Sequence, residues 1–132
     1  MFCKKHEHMF SIDYDINLTF LTFLRKKNCN LPSKIFTSTT LNFLSLSNNR
    51  LSFLPKKIGN LTNLRKLFLN RNKLSNLPIE IGNLCNLELL DLKYNELSDL
   101  PIEICNLTNL TELILNCNKL SNLPIEIIIC VI

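Results

Sequence analysis

Residues 64–109 read LRKLFLNRNKLSNLPIEIGNLCN and then LELLDLKYNELSDLPIEICNLTN, which is one pattern of 23 residues written twice. Further copies of the pattern occupy 41–63 and 110–132. In every copy leucine stands at positions 1, 4, 6, 11 and 14, asparagine at 9, proline at 15 and isoleucine at 18. A period of this length predicts a solenoid, in which each repeat covers the apolar face of the next one.

The register continues weakly towards the N-terminus. In residues 18–40, Leu18, Leu21 and Phe23 match positions 1, 4 and 6, but Lys26 stands where the other repeats carry asparagine. A degenerate terminal repeat is expected, because its outer side faces water. We therefore divide the chain into a non-repeat lead-in at 1–17 and a repeat domain at 18–132, with repeat 1 at 18–40, repeat 2 at 41–63, repeat 3 at 64–86, repeat 4 at 87–109 and repeat 5 at 110–132.

Each full repeat contains two predicted elements. Residues at positions 3 to 6 alternate sides, as in Leu67–Leu69, which is typical of a short strand near positions 3 to 5 with its leucines inward. The segment 77–84 begins near a proline and then spaces its apolar residues four and three apart. That spacing predicts a short helical or 3₁₀ turn on the opposite, convex side.

Between these two elements the chain turns at the asparagine of position 9. A turn repeated in one place leaves a column of unpaired backbone amides, and an asparagine side chain carries both a donor and an acceptor for them. We therefore predict a structural role, with the side chain buried against the backbone of adjacent repeats rather than touching a ligand, for Asn49, Asn72, Asn95 and Asn118.

The composition fits one domain of 132 residues, of which 46% are hydrophobic. The six cysteines occupy unrelated repeat positions and form no CxxC pair, so we interpret them as free thiols of a reducing, cytoplasmic compartment. The apolar runs near both ends are interrupted or too short to span a bilayer, which predicts no membrane segment.

Catalytic groups are scarce. The histidines are His6 and His8, which flank Glu7 as a possible metal pair, but no further ligand set at a recognised spacing accompanies them. Gly59 and Gly82 are the only glycines, and both stand at position 19 of a predicted helical turn, so no phosphate-binding loop can be formed. The sequence therefore predicts no catalytic residue, no metal and no cofactor, and hence no enzyme.

The consensus LxxLxLxxNxLxxLPxxIxxLxN resembles that of the leucine-rich repeat family. Within the family it is most similar to the intracellular 23-residue class of Ras-pathway scaffold proteins and their plant relatives. The match is specific across 41–127, weak across 18–40 and absent before that. The resemblance implies an α/β fold, a curved solenoid with a parallel sheet on its concave face, that binds other proteins and is not an enzyme.

The concave face would be formed by positions 3, 5, 7 and 8 of the repeats. In this register we expect exposed side chains at Phe43, Phe68, Leu89 and Ile114. Aromatic and aliphatic anchors beside arginine and tyrosine are residue types that dominate protein interfaces. The alternative is that compositional drift, of the kind an AT-rich genome produces, placed phenylalanine and isoleucine on a tolerant surface. The predicted binding residues are Phe43, Ser45, Lys66, Phe68, Arg71, Leu89, Asp91, Lys93, Tyr94, Glu112 and Ile114.

Charge is distributed unevenly along the repeats. The net charge is +3 in each of residues 1–40, repeat 2 and repeat 3, then −4 in repeat 4 and −1 in repeat 5. Two pairs, Arg65 with Glu88 and Lys73 with Glu96, share a position in adjacent repeats and should form exposed ion pairs. The remaining basic residues are Lys66, Arg71, Arg50, Arg25, Lys26 and Lys27. They could attract phosphate backbones, but without a nucleic-acid-binding motif this is the lesser alternative function.

Repeat 5 ends in the apolar run Ile127–Ile132, and no polar cap follows it. Three explanations remain open: a truncated gene, end-to-end self-association through this end, and covering by a partner. A truncated or vestigial repeat protein without a specific partner is therefore the main alternative to a binding module.

Overall fold

The computed structural model describes residues 20–22, 31–121, 123 and 125–127. The predicted lead-in at 1–17 and the end of repeat 5 at 128–132 lie outside the described residues. The strands are β1 (Phe20–Thr22), β2 (Phe43–Ser45), β3 (Lys66–Phe68), β4 (Leu89–Asp91) and β5 (Glu112–Ile114). The 3₁₀ helices are η1 (Ser33–Thr37), η2 (Lys56–Asn60), η3 (Ile79–Asn83) and η4 (Ile102–Asn106).

The five strands form one parallel sheet in the order of the chain, β1-β2-β3-β4-β5. Leu44 pairs with Leu67, Leu67 with Leu90, and Leu90 with Leu113, so each repeat advances the sheet by one strand. Strand and 3₁₀ helix alternate on opposite sides of the solenoid. The predicted architecture is therefore confirmed, with the strands at positions 3 to 5.

The leucines of the consensus fill the space between sheet and helices. In repeat 3 the side chains of Leu67, Leu69 and Leu74 are completely buried, and so are Ile81 and Leu84 on the helical side. Burying each such side chain contributes about 1.5–3 kcal/mol. Because the same positions are filled in successive repeats, the core is one continuous column rather than a separate core in each repeat.

The 3₁₀ helices start at the proline of each repeat. Pro78 has φ −68°, which suits the start of a helix, and its carbonyl accepts a hydrogen bond from Ile81 N at 3.0 Å. The helix ends three residues later, where Leu84 N donates to Ile81 O at 3.2 Å. One tight turn is enough to point Ile81 into the core, and a short 3₁₀ helix supplies it.

The two glycines stand where these helices approach each other most closely. A Cβ atom on Gly82 would lie 2.5 Å from Glu103 O, and one on Gly59 would lie 2.7 Å from Glu80 O. Both distances are shorter than a carbon atom tolerates. Glycine at position 19 therefore lets η2, η3 and η4 pack with their backbones in contact.

Asn72 shows how position 9 joins two repeats. Its Oδ1 accepts hydrogen bonds from Asn49 N at 3.1 Å and Leu51 N at 2.9 Å. Its Nδ2 donates to Leu46 O at 2.9 Å and Leu69 O at 2.8 Å. One side chain thus forms hydrogen bonds with four backbone groups of two adjacent repeats.

Cys105 contradicts the interpretation of the cysteines as free thiols. It is disulfide-bonded, whereas Cys85 and Cys117 are free and exposed. Disulfides are typical of oxidising environments, so the argument for a reducing compartment loses part of its basis.

In the described part of the chain, no helix is both long and apolar enough to cross a bilayer.

Candidate functional site

The predicted binding residues lie on the outward side of the sheet. Leu44, Leu67 and Leu90 at position 4 are completely buried, and side chains alternate along a strand, so positions 3 and 5 face the opposite way. The outward side chains therefore form two rows across the sheet. The row at position 3 consists of Phe43, Lys66, Leu89 and Glu112. The row at position 5 consists of Ser45, Phe68, Asp91 and Ile114.

The apolar members of these rows are less exposed than expected. We expected Phe43, Phe68, Leu89 and Ile114 to be exposed, but each is only half-buried. The rings of Phe43 and Phe68 lie 5.2 Å apart between centroids at an angle of 38°, so they cover each other diagonally across two strands. Such a pair is worth about 0.5–1.5 kcal/mol beyond its burial, and it gives the face a rigid apolar patch.

Position 8 adds a second feature at the edge of the sheet. Tyr94 is 43% exposed, and two cations flank its ring: Arg71 Cζ lies 4.9 Å from the ring centroid and Lys93 Nζ lies 5.0 Å from it. Each cation–π contact of this kind is worth about 0.5–1 kcal/mol at an exposed site. We call Arg71, Lys93 and Tyr94 the tyrosine cluster.

A left-handed backbone places the tyrosine cluster. Arg71 and Tyr94 have φ of 57° and 55°, and the residues at the same position of repeats 2 and 5, Asn48 and Cys117, have 64° and 60°. This conformation keeps the backbone pairing going past the strand, because Arg71 N donates to Lys93 O at 2.9 Å. Sequence reasoning missed it, although asparagine at position 8 of repeat 2 is a residue type that tolerates positive φ.

Hydrogen bonds fix the polar residues of the face. Ser45 Oγ lies 3.2 Å from Ser47 Oγ, and the Ser47 hydroxyl donates to Asn70 Oδ1 in the next repeat. Asp91 Oδ1 accepts from Lys93 N at 3.0 Å, which orients this carboxylate beside the tyrosine cluster. These hydrogen bonds pre-organise the polar floor of the face, which consists of Ser45, Ser47 and Asp91.

The structural asparagines lie behind this face. Asn72 and Asn95 are buried, at 8% and 7% exposure, whereas Asn49 and Asn118 in the outer repeats are half-buried. Asn49 Nδ2 donates to Ser47 O at 3.1 Å, which ties the turn to the end of β2.

One of the two expected ion pairs forms as predicted. Arg65 Nη1 lies 3.3 Å from Glu88 Oε1. Glu96, however, pairs with Lys119 at 2.8 Å rather than with Lys73, so the predicted pairing was wrong. Lysines stand one repeat before and one repeat after Glu96, and the period alone does not choose between them.

Lys119 has a clear electrostatic effect on Glu96. Its hydrogen bond and its charge hold the pKa of the Glu96 carboxyl below the ordinary value of 4.5, and the charge of Lys73 lowers this pKa further.

The basic residues that could attract a phosphate backbone include Arg50, Lys66 and Arg71, which are exposed. Arg25, Lys26 and Lys27 lie outside the described residues.

The described residues contain no group of three or more histidine, cysteine, aspartate or glutamate side chains placed to hold an ion. The pair His6 and His8 falls outside them.

Comparison with known families matches a leucine-rich repeat region across residues 56–128, and a leucine-rich repeat across residues 40–61. This protein belongs to the leucine-rich repeat family. The match across 56–128 covers more than half of the chain, and it spans η2 to η4 and β3 to β5. A search of curated proteins finds no match for this leucine-rich repeat protein.

Two solved structures resemble this leucine-rich repeat protein. A leucine-rich repeat protein of Leptospira interrogans is 50% identical, with a TM-score of 0.72, over 74% of this chain and 25% of the other. The BIR2 ectodomain of Arabidopsis thaliana is 29% identical, with a TM-score of 0.65, over 73% of this chain and 53% of the other. The chain thus spans about a quarter and about half of these relatives. The matches confirm the family but do not confirm the intracellular subclass.

Leucine-rich repeat solenoids are typically protein-interaction domains without catalytic activity. Stacking the repeats creates the extended concave surface that such domains use for binding. The outward side of the sheet is that surface in this protein. It carries a rigid aromatic pair, the tyrosine cluster and a pre-organised polar floor.

Proposed function

We propose that this leucine-rich repeat protein is a non-catalytic module that binds another protein on its concave face. The observation that carries the proposal is the tyrosine cluster, in which an exposed tyrosine is flanked by two cations. Tyrosine and arginine are enriched among the residues that dominate binding energy at interfaces.

The chemistry of the face suggests what the partner presents. Phe43 and Phe68 offer an apolar contact at one end of the face. Arg71 and Lys93 place positive charge around Tyr94, and the exposed Lys66 lies beside Phe43 on the neighbouring strand. A partner segment with an apolar side chain followed by an acidic one would match this order of contacts.

The experiment is quantitative affinity capture from the native source, followed by calorimetry with the protein identified. We expect one protein to be retained by the wild type and lost with Tyr94→Ala or Arg71→Glu. The matched control is Lys73→Glu, which makes the same kind of charge change in the same repeat at an exposed position outside the face. Each face variant should weaken binding about tenfold or more, which corresponds to about 1.4 kcal/mol or more.

Three other outcomes would contradict the proposal. A protein bound equally by the wild type, both face variants and the control would place the contact elsewhere. Capture of no protein by any of them would favour a vestigial product. Salt-sensitive retention on an immobilised polyanion, abolished by Lys66→Glu with Arg71→Glu, would favour nucleic acid as the ligand.

A further inference from the structure

Three isoleucines form an exposed ridge on the side of the solenoid opposite the sheet. Ile79, Ile102 and Ile125 stand at position 16 of repeats 3, 4 and 5, and their exposed fractions are 57%, 49% and 66%. Ile79 and Ile102 are the first residues of η3 and η4. Equivalent positions of adjacent repeats are neighbours in a solenoid, so the three side chains lie in one line.

Repeat 2 carries charged residues at the equivalent positions. Lys56 and Lys57 occupy positions 16 and 17. Position 17 of repeats 3, 4 and 5 carries an acidic residue instead. We call positions 16 and 17 of repeats 2 to 5 the convex stripe, which runs from Lys56 and Lys57 to Ile125 and Glu126.

The convex stripe is therefore basic in repeat 2, whereas in repeats 3 to 5 it is apolar at position 16 and acidic at position 17. Lys56 Nζ reaches Glu80 Oε1 only at 3.9 Å, and the lysine side chain is 82% exposed, so this contact neutralises little of the charge. Lys57 and Glu103, two repeats apart, are too distant to pair within one chain. If a second copy of the chain is turned around, the acidic end of its stripe therefore lies against the basic end of the first copy.

We propose that the convex stripe is the interface of a homodimer in which two copies pack back to back with opposite chain directions. A two-fold axis lying in the interface sets position 17 of one copy against position 17 of the other while reversing the order of the repeats. Lys57 of each copy then faces Glu103 or Glu126 of the second copy. The isoleucines of both copies meet in the middle of the interface.

The stripe favours a second copy over an unrelated protein because its own two ends supply both charges. A parallel arrangement would instead set lysines against lysines and glutamates against glutamates. An interface of standard size buries about 800 Å² on each partner. The stripe is narrower than that, so we expect a weak dimer whose rim is formed by the charged side chains.

This inference does not depend on the proposed function. Back-to-back packing leaves both concave faces open, so the dimer would present two binding faces pointing away from each other. A multivalent partner could engage both faces and gain apparent affinity without any new contact.

The test is sedimentation equilibrium of the 132-residue chain across the micromolar concentration range. We expect a concentration-dependent dimer that Ile102→Glu abolishes and that Lys57→Glu weakens about tenfold. Glu103→Lys with Glu126→Lys should weaken it similarly, and mixing these two charge-reversed proteins should restore a heterodimer. All substituted side chains are exposed or half-exposed on the surface, so a thermal melt should verify that each variant folds.

The matched control is Lys66→Glu, which makes the same charge change on the concave face and should leave the dimer intact. A chain that stays monomeric at all concentrations would overturn the proposal. A dimer that survives Ile102→Glu and Lys57→Glu, or that disappears only when a polar C-terminal cap is added, would overturn it as well, because the contact would then lie at the end of the solenoid.

Discussion

Repeats 4 and 5 carry leucines at the same positions and each forms one short strand, but these leucines differ in burial. Leu90 in β4 is completely buried, whereas Leu113 at the same position of β5 is half-buried. Leu97 is likewise completely buried, and its equivalent Leu120 is not. In the described sheet β4 has a strand on each side and β5 has a strand on one side only.

The difference teaches that a consensus residue has no fixed energetic value in this fold. A leucine at position 4 is stabilising in proportion to the repeats that cover it, because each repeat contacts only its neighbours. The same substitution made in two repeats therefore measures how much of the stability comes from the neighbours.

The largest effect is expected for Leu90→Ala. Removing a completely buried leucine leaves a cavity between three strands and should lower the free energy of unfolding by about 2–5 kcal/mol. Thermal or urea denaturation of the whole chain measures it. Leu113→Ala is the matched control and should cost clearly less, since Leu113 already contacts water. Equal losses at the two positions would mean that burial by the neighbouring repeats does not decide the cost.

A smaller effect is expected at position 9. Asn95 accepts a hydrogen bond from Leu74 N and donates to Leu69 O and Leu92 O. Replacing it with alanine leaves the buried Leu74 N unpaired. It also removes one of the two hydrogen bonds that Leu69 O and Leu92 O each accept, since Asn72 and Asn118 donate to these carbonyls as well. The loss should cost about 1–3 kcal/mol.

Asn118 is the matched control for this prediction, because it makes the equivalent three bonds in the next repeat, with Leu97 N, Leu92 O and Leu115 O. It is only half-buried, so water can replace part of what Asn118→Ala removes. Hydrogen exchange should report the difference directly: the amide of Leu74 should lose more protection in Asn95→Ala than that of Leu97 in Asn118→Ala. A larger loss of protection at Leu97 in Asn118→Ala than at Leu74 in Asn95→Ala would contradict the expected effect of burial.

The sequence predicted the structural features that recur in every 23-residue repeat. Position 4 and position 6 leucines had to face inward because they recur with the strand alternation, and the sheet confirms this for Leu67 and Leu69. The proline and the spacing of Ile81 and Leu84 predicted the turn on the opposite side. These features are encoded locally, in one repeat, and copied into the others.

Features that depend on differences between repeats were not predictable in the same way. The half-burial of Phe68 depends on Phe43, which lies on the neighbouring strand and at a different repeat position. The tyrosine cluster depends on a left-handed backbone that leaves no consistent residue type at position 8. The disulfide of Cys105 depends on spatial proximity rather than on spacing. Such contacts arise between repeats, where the consensus varies.

The smallest expected effect concerns Glu96, whose ion pair with Lys119 joins repeats 4 and 5. Because its pKa in the folded state is held below the ordinary value of 4.5, the stabilisation is present above that value. It should be lost as the pH falls through the lower, folded-state pKa. The difference in melting temperature between the wild type and Glu96→Gln should therefore be slight at neutral pH, and it should vanish in acid and at high salt.

An NMR titration of the Glu96 carboxyl sharpens this test of the contact between the last two repeats. Lys119→Gln removes both the hydrogen bond and the nearest charge, so the pKa of Glu96 should rise towards its ordinary value. Lys73→Gln is the matched control, since Lys73 stands at the same position one repeat before Glu96. It should raise the pKa of Glu96 less, because Lys73 acts only through its charge. If Lys73→Gln had the larger effect, Glu96 would be turned towards repeat 3 in solution, and the pair that joins repeat 5 to the buried repeats would be absent.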